Sequence, residues 1–135
     1  MSYPIITIEG IGAAFAEKLK GAGITTTEHL LERAKTPKLR KELAAAIGLD
    51  DSRILKWANM ADLMRIKGVG EEYSELLEAA GVDTVKELKT RVAANLTKAM
   101  AEANAARKLV RALPTESMVE KWIAQAKELP AILTY

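Results

Sequence analysis

Apolar and polar positions in this chain follow one plan that is used twice. Residues 8 to 24, IEGIGAAFAEKLKGAGI, and residues 66 to 82, IKGVGEEYSELLEAAGV, both read hydrophobic, any residue, Gly, hydrophobic, Gly. Each then continues into an amphipathic helical pattern that ends at a further glycine. At an offset of 58 positions, residues 8–33 and 66–91 share 10 identities in 26, including Gly10/Gly68, Gly12/Gly70, Leu19/Leu77, Gly23/Gly81, Thr26/Thr84 and Leu30/Leu88. That marks an internal duplication. Ile54, Trp57, Ala58 and Ala61 have the i, i+3, i+4, i+7 spacing of one buried helix face, and Val119, Trp122, Ile123 and Ala126 reproduce it at an offset of 65. The duplication therefore takes in two tryptophan helices as well as the glycine segments.

The remaining elements follow from start and stop signals. Pro4 and the β-branched run from Ile5 to Ile8 predict an extended lead-in over residues 1–7. Gly10 and Gly12 predict a turn, followed by a helix from about Ala13 to Lys20 that Gly21 and Gly23 stop. Hydroxyls at Thr25 to Thr27 can cap a helix to about Ala34, and Thr36 with Pro37 can open one to Ile47 that Gly48 closes. Asp50, Asp51 and Ser52 offer caps for the first tryptophan helix, to about Arg65. In the second copy the pattern predicts a helix from Glu71 to Ala80, then a cap at Asp83 or Thr84 and a short helix to about Arg91. A long helix capped by Asn95 should run to Pro114 and hold the seven extra residues of the second copy, with the final helix starting after Thr115. The second glycine segment has a full helix before it and the first has only seven residues. That imbalance predicts that the final helix docks beside the first glycine segment, within the chain or across a dimer.

The fold expected is all-α: two duplicated units of about eight or nine helices around one shared core, divided as residues 1–65 and 66–135 of a single compact domain. Composition agrees, with 49% hydrophobic but only 4% aromatic residues, which favours helices in close contact through small side chains. The absence of cysteine excludes disulfides, thiolate metal sites and cysteine nucleophiles. The first residues lack a basic start and a signal-length apolar core, and nowhere do about 18 uncharged apolar residues run together. The expected location is cytoplasmic. A net charge of +2 gives little overall push toward nucleic acid, so any such attraction must be local.

The repeated glycine pattern, its amphipathic helix and the following AGI-T or AGV-DT resemble helix-hairpin-helix motifs. The whole chain resembles a bacterial family of tandem helix-hairpin-helix proteins described only as a domain of unknown function, above all in RIKGVGEEYSELLEAAGVDTVKEL and LVRALPTESMVEKWIAQAKELP. The resemblance implies sequence-independent contact with the backbone of double-stranded DNA, through amides at the N-terminus of each motif's second helix. The physics is that free N–H groups and the positive end of a helix dipole form an anion site. The contacting positions implied are Gly10, Ile11 and Gly12, with Lys18 and Lys20 as nearby cations. A weaker second hairpin would use Gly68, Val69 and Gly70 with Arg65 and Lys67.

The residues after the glycines depart from that pattern unequally. DNA-binding members usually carry small, polar or basic residues there. This chain has Ala13 and Ala14 in the first copy and Glu71 and Glu72 in the second. Each exposed glutamate beside a phosphate costs on the order of 1 kcal/mol, enough to cancel a neighbouring lysine. Glu75 and Glu78 make the second helix more acidic still, so the DNA contact is assigned to the first copy. Two basic clusters, Lys35, Lys38, Arg40 and Lys41, and Arg107, Lys108 and Arg111, read as solvated helix faces or as a phosphate-tracking patch. The only histidine, His29, reads as an exposed helix position, and Trp57 and Trp122 as core anchors. No nucleophile with a base, metal cluster or cofactor loop is present, so the expectation is a non-enzymatic module without cofactor. Its partner is double-stranded DNA or, alternatively, another protein that it scaffolds, with no membrane contact and a monomeric or homodimeric state.

Overall fold

A computed structural model describes residues 2–135; Met1 lies outside the described residues. Eight α-helices occur among them. They are α1 (Ala13–Gly21), α2 (Thr27–Arg33), α3 (Pro37–Ile47), α4 (Asp51–Leu63), α5 (Glu71–Ala79), α6 (Val85–Leu88), α7 (Ala93–Arg107) and α8 (Glu116–Glu128). No helix is long and apolar enough to cross a membrane among the described residues.

Threonine sets four of the helix starts. The hydroxyls of Thr26, Thr36, Thr84 and Thr115 accept from the amides of His29, Leu39, Glu87 and Met118, satisfying one orphan donor at each N-terminus. Glycine sets several of the ends. Gly48, at φ 71°, closes α3 in the left-handed conformation. At Gly23 and Gly81, φ 85° and 96°, the chain reverses so that the amides of Ile24 and Val82 bond the carbonyls of Leu19 and Leu77.

The glycine turns match in the same detail. Gly10 and Gly68 have φ of 93° and 97°. The amides of Ile11 and Val69 bond the carbonyls of Ile8 and Ile66 at 3.1 and 3.0 Å, and Gly12 and Gly70 accept the first helical bonds from Ala16 and Ser74. Beneath each turn lies an indole. Trp57 packs on Phe15 with ring centroids 5.4 Å apart, and Trp122 packs on Tyr73 at 5.2 Å. A methyl group built on Gly10 would meet Trp57 Nε1 at 3.4 Å, and one on Gly68 would meet Trp122 Nε1 at 3.2 Å. Positive φ requires glycine at both positions, and at Gly68 the indole would also have to give by a few tenths of an ångström to admit a methyl group.

These contacts correct the expected docking of the last helix. α8 lies over the second glycine turn, where the Gln125 side chain holds Lys67 by both its amide and its carbonyl, at 2.9 and 3.2 Å. The helix over the first turn is α4. Each tryptophan helix packs on the glycine segment that precedes it in its own copy, which keeps the closed loops short. The lead-in makes up what the first turn lacks. Ile5 donates to the Thr25 carbonyl and Thr27 to the Tyr3 carbonyl, both at 2.9 Å, and Pro4 forms an isolated bridge with Thr26. In the second copy the Asp62 carboxylate takes the amide of Val85 at 2.8 Å. The lead-in is extended only to Pro4, because Ile5–Thr7 curl into a 3-10 turn.

Burial also divides differently from the single core expected. Ile5, Ile8, Leu19, Ile24, Leu30, Trp57, Met60 and Met64 belong to one apolar cluster, and Leu63, Ile66, Leu76, Leu77, Leu88, Met100 and Trp122 to another. α4 contributes to both and joins them. Residues 130–135 join them again, with Leu133 buried in the first cluster. Arg65 donates to the Pro130 carbonyl, Arg40 to the Thr134 carbonyl, and Thr134 to the Lys35 carbonyl. Asp62, buried at 3% exposure, pairs with Arg65 at 2.9 Å. The ion pair sits where α4, α6 and the final segment meet.

α7 starts and stops early. Its N-cap is Val92, which leaves Asn95 inside the helix. It ends at Arg107 because Lys108 turns left-handed at φ 50°, while Asn104 binds both the amide and the carbonyl of Val110. The extra length of the second copy is therefore shared between a helix of 15 residues against 11 in α3 and a longer connection before α8.

The two glycines of a turn should respond oppositely to substitution. Gly68→Ala forces alanine into positive φ against the indole and should lose about 1–2 kcal/mol in urea unfolding. Gly12 has negative φ and nothing within 4 Å of its added methyl. Gly12→Ser should keep stability or raise it by roughly a few tenths of a kcal/mol through a new cap.

Candidate anion-binding surface

The first glycine turn delivers an open helix N-terminus to the surface. Gly10, Gly12, Ala13 and Ala14 are exposed, while Ile11 is buried and anchors the turn in the core. Gly12 caps α1 without any side-chain hydrogen bond, and no carboxylate stands in the first helical turn. The second turn has the same backbone but Glu71 and Glu72, both exposed, in the first turn of α5. Two like-charged carboxylates there complement the helix dipole and oppose an external anion.

The cations implied by sequence are not equally placed. Lys18 and Lys20 are exposed in the last turn of α1, at the opposite end from the open amides. Lys67 is exposed beside the second turn, with its backbone held by Gln125. Arg65 is committed to Asp62 and Pro130 and has a side chain only 10% exposed. Of the basic clusters, Lys38, Lys41, Arg107, Lys108 and Arg111 are exposed and Lys35 pairs with Glu32 at 3.5 Å. Arg40 does not belong with them: it is buried, bonded to the carbonyls of Ala34 and Thr134, with its guanidinium 5.6 Å from the Tyr135 ring centroid. His29 is exposed on α2, within reach of Thr25.

One cation that sequence reasoning missed stands beside the first turn. The Arg53 guanidinium lies 5.1 Å from the ring centroid of Phe15, in the first turn of α1. Arg53 and Trp57 are i, i+4 neighbours on α4 and flank Phe15 from one side. The sequence signal is that spacing, and it points to this turn only once α4, rather than α8, lies over it. At the repeat offset of 65 the second copy has Met118, partly buried in its core.

A family described as Domain of unknown function (DUF4332) matches residues 9–129. The chain belongs to that family. No curated protein and no solved structure matches it. The DUF4332 match begins at Glu9, the residue before the first glycine turn, and ends at Leu129, the C-cap of α8. It thus spans both glycine turns and both tryptophan helices. Among the described residues of this DUF4332 chain, no group of three or more histidine, aspartate or glutamate side chains could hold a metal ion.

The acidic residues of the second copy also reach toward the first. Burial pushes the Glu75 carboxyl above its ordinary value, and the negative charge of Glu9, two residues from Ile11, adds to the rise. Glu78 and Glu71 push the same way, and Arg107 partly offsets them. A raised folded-state value means that the native protein holds this proton more tightly than the unfolded chain. The stability it contributes is complete below the ordinary glutamate value of 4.5 and is lost as pH rises through the folded value. Glu75→Gln should therefore gain stability relative to the parent as pH rises through the carboxylate range. Urea unfolding at pH 4 and pH 7 reads that difference, which should be near zero at the lower pH and positive at the higher.

Proposed function

We propose that this chain is a non-enzymatic binding module that holds the sugar-phosphate backbone of double-stranded DNA weakly and without regard to sequence. Its contact is the first glycine turn, at Gly10 to Ala14, a hairpin that follows the 3-10 turn Ile5–Thr7. The observation that carries the reading is the cap of α1. Four helices of this protein are capped by threonine hydroxyls, whereas α1 starts at a glycine that neither its φ nor its surroundings require. A glycine unnecessary to the fold is accounted for by a body that approaches the backbone from outside. The open amides and the positive end of the helix dipole select an anion. Arg53, stacked over Phe15 in the first turn of α1, supplies a positive charge near the contact.

In this reading the second unit keeps the hairpin for folding and has surrendered the phosphate contact to Glu71 and Glu72. Gly70 shares the relaxed backbone of Gly12 and the same free space, so the two units differ in charge rather than in shape. With net charge +2 and one usable turn, the affinity falls in the range of non-specific binding, roughly 10⁻⁴–10⁻⁶ M at physiological salt. A second reading rests on Glu9 and Glu75. The acidic patch they form with Glu71 and Glu78 fits a basic protein partner, for which the chain would act as a scaffold.

Anisotropy of a labelled duplex, titrated at several salt concentrations, separates the readings. The DNA reading predicts binding that weakens linearly on log axes, with a slope of about −2 to −3 for two or three neutralised phosphates. Gly12→Asp should abolish it while the protein melts no lower than the parent, because aspartate is a good cap. Absence of binding at tens of micromolar protein in low salt leaves the protein-scaffold reading.

A further inference from the structure

We propose that the indole N–H of Trp57 is a hydrogen-bond donor to the anion held at the first glycine turn, and thus part of the phosphate contact rather than only a core anchor. The inference rests on the DNA reading above and adds a residue to it. Trp57 is only 2% exposed, yet its nitrogen is not sealed in the core. The indole N–H groups of Trp57 and Trp122 have no protein acceptor among the described residues, and no enclosed side-chain polar atom lacks a partner. Neither indole nitrogen is therefore fully enclosed, and each lies against the Cα face of its glycine, Gly10 or Gly68. A buried ring whose one polar atom is unpaired and not fully enclosed has a donor available to a ligand. Indole nitrogen donates and never accepts, so that ligand must offer an acceptor such as a phosphate oxygen.

The same contact gives Gly10 a second role. Any β-carbon there would stand 3.4 Å from the indole nitrogen and cover it. Gly10 and Gly12 then act in sequence, one exposing the indole N–H and the other leaving the α1 amides open. Arg53 lies one helical turn before Trp57 and faces the same Phe15 ring. Trp122 has the equivalent N–H beside Gly68, but Glu71 and Glu72 stand in the helix that follows. It is an internal control that should stay free of anion.

The test uses the full chain labelled with ¹⁵N at its indoles and a short duplex at low salt, with anisotropy recorded in parallel. The Trp57 Nε1–H resonance should move downfield along the same isotherm as the anisotropy, with the Trp122 resonance unmoved. Trp57→Phe removes core volume and serves only if its melting point is retained. Replacement of Trp57 by β-(3-benzothienyl)alanine, which exchanges N–H for sulfur in a ring of nearly equal shape, keeps the core. That variant should bind the duplex about ten- to a hundredfold more weakly, the loss expected for one hydrogen bond to a charged group. Duplex binding with an unmoved Trp57 resonance and unchanged affinity of the benzothienyl variant overturns the inference and leaves the DNA reading standing. No duplex binding by the parent protein overturns both. Equal movement of both indole resonances also overturns it, because the acidic copy should repel the anion.

Discussion

The contact on which this structure depends is an indole laid against a glycine that has no alternative. At Gly10 and Gly68 the chain turns with φ above 90°, and at each a tryptophan nitrogen stands directly against the place a side chain would take. The turn, the helix after it and the tryptophan helix are locked together by that one meeting. Removing a buried tryptophan from such a place costs about 3–5 kcal/mol by analogy with other cores. The contact also dictates topology. Each tryptophan must return to the glycine of its own copy, so α4 covers the first turn and α8 the second, and the two apolar clusters form around them. α4 and the segment from Pro130 to Tyr135 then bind the clusters to each other, through Leu63, Leu133 and the buried pair of Asp62 and Arg65.

Much of this was legible in the sequence because the determining signals are local. Glycine required at positive φ, threonine followed by an acceptor-seeking amide, and apolar spacing of three and four residues each act within a few positions. They give the helix starts at Ala13, Pro37, Glu71 and Glu116. The failures are long-range or opportunistic. Asn104 could not be seen to bind Val110 and end α7, since an asparagine inside a helical pattern usually points to water. Arg40 carried the pattern of a surface cation, and only the return of Thr134, far along the chain, makes it a buried donor to two carbonyls. The place of the final helix is not legible in the number of elements before each glycine turn, because backbone alone, at Tyr3 and Ile5, completes the first turn.

The candidate site was less legible than the fold, for a physical reason. The proposed anion contact depends on what surrounds two nearly identical backbones. The glycines are common to both copies, whereas the discriminating groups come from elsewhere in the chain. Arg53 arrives from α4, and Glu75 approaches Glu9 across the two units. The sequence revealed Glu71 and Glu72, which follow their glycine directly, and concealed the others. Charge thus shows the divergence between two glycine turns whose own hydrogen bonds coincide.

That divergence is the central claim, and backbone amide shifts on titration with a short duplex at low salt test it residue by residue. The account predicts that the amides of Gly12, Ala13 and Ala14 move with salt-sensitive binding while those of Gly70, Glu71 and Glu72 remain in place. Equal movement in both copies, or movement confined to the second, would contradict it.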